Sequence, residues 1–233
     1  MPFTYAFPRP AVAADTVLFA MRAEDLAVLL IQRKNPPFKG AWALPGGFVN
    51  ANESLDRAAA RELMEETGIT GVPLEQLAAY GDPGRDPRGH TISVVFYSFV
   101  VAGAQPVAAD DAADADWHPL RALPLPSWGG PSPEKSRIKL AFDHARIIDA
   151  ARRRLQERLI DPTRESPFEI VPSRFTLAEL QRVYEAVLGR KMSRATFRAR
   201  LVAKGIVEPV TRARGAGKAP ASNLYRFKGE RRA

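Results

Sequence analysis

Between Gly46 and Ile69 the chain reads GGFVNANESLDRAAARELMEETGI, and no other stretch constrains the fold as much. Ser54 suits a helix N-cap, Leu55 to Thr67 is rich in Ala, Glu and Arg, and Gly68 suits a left-handed C-cap, so a helix is predicted over Leu55–Thr67. Leu55, Ala58, Ala59 and Leu63 share its apolar stripe. Glu65 and Glu66 follow Glu62 by three and four residues, which gathers three carboxylates on one turn. Like charges at that spacing repel, and a hard divalent cation relieves the repulsion; carboxylate oxygen points to Mg²⁺ or Mn²⁺. An isolated REXXEE string reads more readily as a solvated acidic face with Arg61 as counter-ion. The turn before it reverses that preference, because Pro45, Gly46 and Gly47 let backbone groups approach a phosphate or metal closely.

Counted from Gly47, the segment runs Gly, five residues, Glu53, seven residues, Arg61, Glu62, Leu63, one residue, Glu65, Glu66, one residue, Gly68, Ile69. It thereby resembles the Nudix hydrolases at every specified position. The resemblance implies an α/β/α sandwich and water-mediated cleavage of a nucleoside diphosphate linked to another group, with metals bridging the diphosphate. Carried over by position, it implies Glu62, Glu65 and Glu66 as catalytic metal ligands and the Gly46 carbonyl as a further ligand. Arg61 would brace Glu53 and hold the loop on the helix, with Gly47 and Gly68 structural.

A second stretch, GDPGRDPRGHTISVVFYSFV from Gly81 to Val100, resembles the DPRG-then-strand segment of ADP-ribose-handling Nudix proteins. Arg85 and Arg88 are candidates for the diphosphate or terminal ribose, because a guanidinium fork matches phosphate oxygens. The alternative is a polar hairpin loop in which Asp86 pairs with either arginine. Arg33, Phe38 and Trp42 are further candidates for shaping a pocket, with a core role the simpler one for Trp42. In AADDAADADWHPL, Ala108 to Leu120, relatives carry an acidic loop, and Asp114 matches their auxiliary carboxylate by its distance from Trp117. Relatives usually have Glu there, and Asp is one methylene shorter; a solvated acidic loop is the alternative. His90 reads as a loop residue and not a ligand, His144 as structural, and His118 has a weak claim to a role.

Charge divides the chain. Residues 1–133 hold ten Lys and Arg against fifteen Asp and Glu, while 134–233 hold twenty-four against eleven, for +8 overall. An acidic half suits metal binding and a basic half suits a polyanion. Ala11–Ala20 and Leu26–Gln32 read as strands, and the uncharged run Thr91–Ala109 as a buried strand and turn, since Gly103, Gln105 and Pro106 interrupt it. Glu134–Leu159 is predicted as one long helix from its spacing of Ile138, Phe142, Ile147, Ala151, Leu155 and Leu159. These set the expected domains: 1–160, a linker at 161–172 that includes DPTRESP, and 173–233. With no cysteine, disulfides, thiolate metal sites and cysteine nucleophiles are excluded. That composition, and the absence of a signal-like start, lead to a cytoplasmic protein without a membrane segment as the expectation.

Beyond the linker, Thr176 caps a predicted helix Leu177–Leu188 and Ser193 a second from Arg194 to about Lys204, followed by strand-like Ile206–Val210 and Leu224–Phe227. Helix, helix and a hairpin with a basic tip is the order of a winged helix-turn-helix. Phe197 and Leu201 would face its core, leaving Arg194, Thr196, Arg198 and Arg200 for a DNA groove. Arg212, Arg214 and Lys218 on the wing would meet phosphates. GAGK, Gly215–Lys218, lacks the spacing of a phosphate loop and reads as part of that wing.

Together the two halves resemble the Nudix-related transcriptional regulators of NAD metabolism. The resemblance implies a homodimer on double-stranded DNA with ADP-ribose as the releasing effector. Many such regulators have a degraded carboxylate helix, whereas this chain keeps every residue, so hydrolysis joins sensing as an expectation. A metabolic pyrophosphatase with an accessory basic domain is the alternative.

Overall fold

The computed structural model of the chain describes residues 6–100, 106–107, 112–128, 130–160, 170–203, 205–210 and 224–228. Strands β1 (Ala11–Arg22) and β2 (Asp25–Arg33) form an antiparallel hairpin that pairs Phe19 with Val28 and Arg22 with Asp25. They extend by a residue or two beyond the apolar runs that mark them in the sequence. Short strands β3 (Trp42–Ala43) and β4 (Gly46–Phe48) precede helix α1 (Leu55–Thr67), and β5 (Glu75–Tyr80), β6 (Thr91–Val100) and β7 (Ala112–Pro119) follow it. The sheet order is β3-β2-β1-β6-β5, with β4 on β1 and β7 on β2; among these described strands only β1 and β6 pair in parallel.

Both faces of this sheet are covered, which is why β1 and β6 read as unbroken apolar runs rather than alternating ones. Ala14, Leu18 and Ala20 point to α1, where Ala58, Ala59 and Leu63 meet them. Val17 and Phe19, one residue out of phase, point to the opposite face. There they pack with Ile147, Ile148, Ala151 and Leu155 of helix α2 (His144–Ile160). The bounds of α1 are those set by its caps: Ser54 Oγ accepts the Arg57 amide at 3.4 Å, and Gly68 at φ 70° turns its N–H back to the Met64 carbonyl.

The helix expected over Glu134–Leu159 begins only at His144. Before it, the backbone is engaged by β3: the Trp42 amide donates to the Lys139 carbonyl, and the Ala141 amide to the Trp42 carbonyl. Those groups are therefore not available for helical bonds, and Phe142, at φ 51°, breaks the approach. The acidic stretch around Asp114 is not a loop but strand β7, paired with β2 through most of its length. Ala112, Ala115 and Trp117 are its buried positions; with little β-branched character its alternation is easily missed.

The C-terminal part holds β8 (Phe175–Thr176), α3 (Leu177–Leu188), α4 (Arg194–Ala203), β9 (Val207–Pro209) and β10 (Leu224–Phe227), its three strands ordered β8-β10-β9. Both helices match expectation, whereas the two-residue β8 is too short to leave a pattern. Thr176 and Glu179 form a reciprocal capping box, and Gly189 closes α3 at φ 67°. One hydrophobic cluster runs from Val17 and Ile147 through Leu155 and Leu159 to Leu180, Val187 and Phe197, so the two parts share a core. Gln156 adds a bond to the Val187 carbonyl at 2.8 Å. Residues 161–169, most of the expected linker, lie outside the described residues. No described helix is long and apolar enough to cross a membrane.

Candidate active site and nucleic-acid interface

Arg61 organises the carboxylates of α1. Its Nε donates to Glu53 Oε1 at 2.7 Å, and one terminal nitrogen reaches both Glu62 Oε1 at 2.7 Å and Glu65 Oε2 at 2.9 Å. The other donates to Glu53 Oε2 and the Phe48 carbonyl. Glu53 also accepts the Asn50 amide, and these bonds hold its carboxyl down at about 2. Arg61 thus ties Glu53 and the Phe48 backbone to α1 and pairs with two metal-ligand candidates as well.

Glu66 takes a different route. It is buried, and its Oε2 accepts the Gly46 amide at 2.8 Å. Burial first, then the charges of Glu62 and Asp15, push its carboxyl up to about 8 against the pull of that amide. Burial also raises Glu62, which the Arg61 bonds oppose. Both glutamates line a cavity of about 290 Å³ with Asp15, Arg33, Gly46, Gly47, Phe48, Arg85, Arg88, Phe142 and His144 among its walls. The cavity lies where β1 exchanges β2 for β4 as its partner, with Asp15 registered against Gly46. A Cβ on Gly47 would stand 2.6 Å from the Glu62 carboxylate, so glycine lets loop and helix touch. At Gly46 a Cβ would stand 2.4 Å from Asp15 Oδ1 and 2.5 Å from the Ala14 carbonyl. Gly46→Ala is accordingly expected to cost about 3 kcal/mol, read as a lowered urea midpoint, and to loosen the hold on Glu66. An unchanged midpoint would show that the turn yields freely.

The other candidates divide. Arg85 and Arg88 both line the cavity, but their side chains are engaged by protein partners. Arg85 is 5% exposed and grips Asp143 through two bonds, 3.1 and 2.6 Å, with a third to Ser93 Oγ at 2.8 Å. Arg88 pairs with buried Asp86 at 2.7 Å but keeps 44% of its side chain exposed. Arg33 lines the cavity and bonds the Pro37 carbonyl at 2.8 Å. Phe38 is absent from the cavity wall and packs edge-on against Phe142, ring centres 4.8 Å apart. Asp114 is exposed on β7, accepts the Ala115 amide and does not line the cavity. Trp42 sits against the core with its ring 4.1 Å from that of His118. His90 is a loop residue bonded to the Gly81 carbonyl.

Sequence reasoning passed over Asp15, Phe142 and Asp143. Asp15 is the one charged residue within the apolar strand run Ala11–Ala20, and a charge in a buried strand is itself a signal. Phe142 and Asp143 were hidden by the helix expected there. His144, expected to be structural, lines the cavity; buried, it accepts the Leu44 amide at Nδ1, 2.9 Å, and burial pushes its imidazole below the usual value.

On α4, Arg194, Thr196 and Arg198 are exposed, while Phe197 and Leu201 are buried and Phe197 meets Tyr184 edge-on at 5.2 Å. The helix thus presents the side expected to meet a groove. The side chain of Arg200, and Arg212, Arg214 and Lys218, lie outside the described residues.

The NUDIX domain family matches residues 9–137, and the NrtR DNA-binding winged helix domain family matches 167–227. The chain is 36% identical over 225 residues to the ADPR responsive transcriptional repressor NtrR of Acinetobacter baylyi, covering 95% of this chain and 83% of that one. The chain belongs to the NrtR family. Crystalline NrtR of Shewanella oneidensis in complex with a 27mer DNA superposes with a TM-score of 0.68 at 32% identity, over 93% of each chain. The first part alone is 45% identical over 139 residues to the ADP-ribose pyrophosphatase of Methanocaldococcus jannaschii, 60% of this chain and 71% of that enzyme. Within the NrtR architecture the carboxylate helix and the winged helix thus occupy one chain.

Proposed function

We propose that this protein is an ADP-ribose-responsive transcriptional repressor that binds DNA as a homodimer through α4 and the wing, and that its carboxylate helix also hydrolyses ADP-ribose to AMP and ribose 5-phosphate. What carries the reading is the joining of a carboxylate-lined cavity to a basic winged helix through one continuous core. Two copies related by a two-fold axis would present two α4 helices to an inverted repeat. Arg194, Arg198 and Arg200 would meet the groove and its edges, with Arg212, Arg214 and Lys218 on phosphates.

Nudix hydrolases as a class use divalent cations, and the donors here suit Mg²⁺ or Mn²⁺. Among the described residues no three acidic or imidazole groups converge as they stand, because Glu62 and Glu65 are turned onto Arg61. Yet Glu62 and Glu66 are crowded oxygen donors that burial drives toward protonation, the condition a cation relieves. Glu62, Glu65, Glu66 and the Gly46 carbonyl would hold it. When bound, it neutralises charge on the diphosphate and lowers the pKa of the attacking water. Gly46 N–H orients Glu66, Arg61 holds the turn to the helix, and Asp15 keeps a further carboxylate at the cavity wall.

The test is fluorescence anisotropy of labelled duplex from upstream of NAD-metabolism genes, with ADP-ribose titrated in and a scrambled duplex as control. Specific binding reversed by ADP-ribose is expected. Salt-sensitive binding indifferent to sequence would favour the second reading, a metabolic pyrophosphatase, which the complete carboxylate helix and the similarity to a pyrophosphatase support. In the same assay Arg198→Ala is expected to weaken operator binding about tenfold while ADP-ribose affinity stays unchanged. A variant that binds DNA like wild type would remove α4 from the contact surface.

A further inference from the structure

Two phenylalanines line the cavity, and a third packs against one of them. Phe48 is 46% exposed and follows Gly47, the glycine in contact with Glu62. Phe142 is half-buried and lines the same space, with Phe38 braced edge-on behind it. The Arg88 guanidinium lies over both of the first two rings, 5.0 Å from the centre of Phe48 and 5.7 Å from that of Phe142, while the Arg33 guanidinium lies over Phe142 alone, at 5.1 Å. A guanidinium is planar and weakly hydrated, so the surface it covers is one that takes flat π systems.

Phe142 is also held in an unfavourable state by strong supports. Its φ of 51° is disfavoured for a bulky side chain. On one side of it in sequence, Asp143 is gripped by Arg85, itself bonded to Ser93; next along, His144 accepts the Leu44 amide. Strain maintained this firmly at a cavity wall is characteristic of ligand clamps.

We propose that Phe142 and Phe48 form a stacking slot for the nucleobase of the ligand, that Arg88 is the occupant which gives way to the base, and that Arg85 and Asp143 are positioning residues for Phe142. The inference rests on the nucleoside diphosphate reading above and adds to it where the base lies. It gives Arg85 an indirect task in place of the phosphate contact expected from sequence. The diphosphate then lies toward Glu62 and Glu66, which line the same cavity.

The experiment is titration calorimetry of the full chain with ADP-ribose and with two base-free probes, inorganic pyrophosphate and ribose 5-phosphate. Phe142→Ala is expected to weaken ADP-ribose binding about 10- to 100-fold, with the base-free probes unaffected. Phe142→Trp should restore affinity and add a fluorescence that ADP-ribose quenches and pyrophosphate does not. Arg85→Lys should reproduce the base-dependent loss in milder form. Phe48→Ala, a change at an exposed ring, carries the same expectation should Phe142→Ala fail to fold. Equal losses for all probes, or none for ADP-ribose, overturn the slot. If wild type takes another nucleoside diphosphate and not ADP-ribose, the ligand assignment fails, while the comparison with base-free probes still decides the slot. Binding of no nucleoside diphosphate at all overturns both.

Discussion

Glu66→Gln is expected to lower metal-dependent hydrolysis of ADP-ribose by about a thousandfold or more and to leave operator affinity unchanged. The amide keeps the size of the side chain and an oxygen for the Gly46 N–H, so the turn survives; the negative charge that would hold a cation does not. The same substitution has a signature without substrate. In the metal-free chain the folded Glu66 carboxyl sits at about 8, against an ordinary value near 4.5 when unfolded. The folded form therefore keeps a proton that the unfolded form has released. Its contribution to stability is complete below about pH 4.5 and is lost as pH rises through about 8. In chelator, the difference in melting temperature between the Glu66→Gln variant and wild type should widen in favour of the variant from about pH 5 to about pH 8.5, by several degrees. Adding Mg²⁺ near the upper end of that range should raise wild type alone. A difference independent of pH would mean that Glu66 is ionised in the metal-free fold, and the crowded-carboxylate account would fail.

The second large effect is expected far from that turn. Asp149 is 2% exposed; its two oxygens share the Ser127 hydroxyl proton, at 2.7 and 2.8 Å from Oγ, and it accepts further bonds from Arg152, which is 5% exposed. Arg152 in turn lies 4.6 Å from the centre of the Trp128 ring. That ring meets Gly189, the C-cap of α3, closely enough that a Cβ there would stand 2.8 Å from it. Asp149→Ala would leave Arg152 buried without its carboxylate, and a cost of about 3–5 kcal/mol is expected. Because the network supports the contact with the winged helix, wild type is expected to unfold in urea in one transition and the variant in two. A loss below about 1 kcal/mol, with a single transition retained, would show that water replaces the carboxylate and that the joint does not depend on it.

How much was legible follows from how local each determinant is. The α1 and α3 helices carry their own caps in Ser54, Gly68, Thr176 and Gly189, so their bounds could be read off directly. The spacing of Glu62, Glu65 and Glu66 likewise needs nothing outside the helix. What could not be read depends on distant partners. Residues 134–143 have helical spacing, but β3 takes backbone groups among them, a fact set by residues about a hundred positions earlier. Arg85 looks like a phosphate ligand until Asp143, 58 residues on, is placed against it. Asp114 carries the right chemistry on the wrong element, since β7 turns it to solvent while its neighbour Ala115 faces inward. Asp15 was visible only as an interruption, because the strand gives no hint that its neighbour across the sheet is the Gly46 turn.

Helix α2 falls in the interval between the matched families, after residue 137 and before residue 167, and so belongs to neither module. Yet Ile147, Ile148 and Ala151 fill the sheet, Phe142 and His144 beside its start wall the cavity, and Gln156 near its end holds α3. A sensor excised at residue 137 would lack one of its layers and part of its binding wall, whereas one extended to Ile160 would keep both. Recombining sensors and readers among relatives therefore has to preserve this helix with both partners, and the joint, more than either module, is the unit on which exchange of specificities depends.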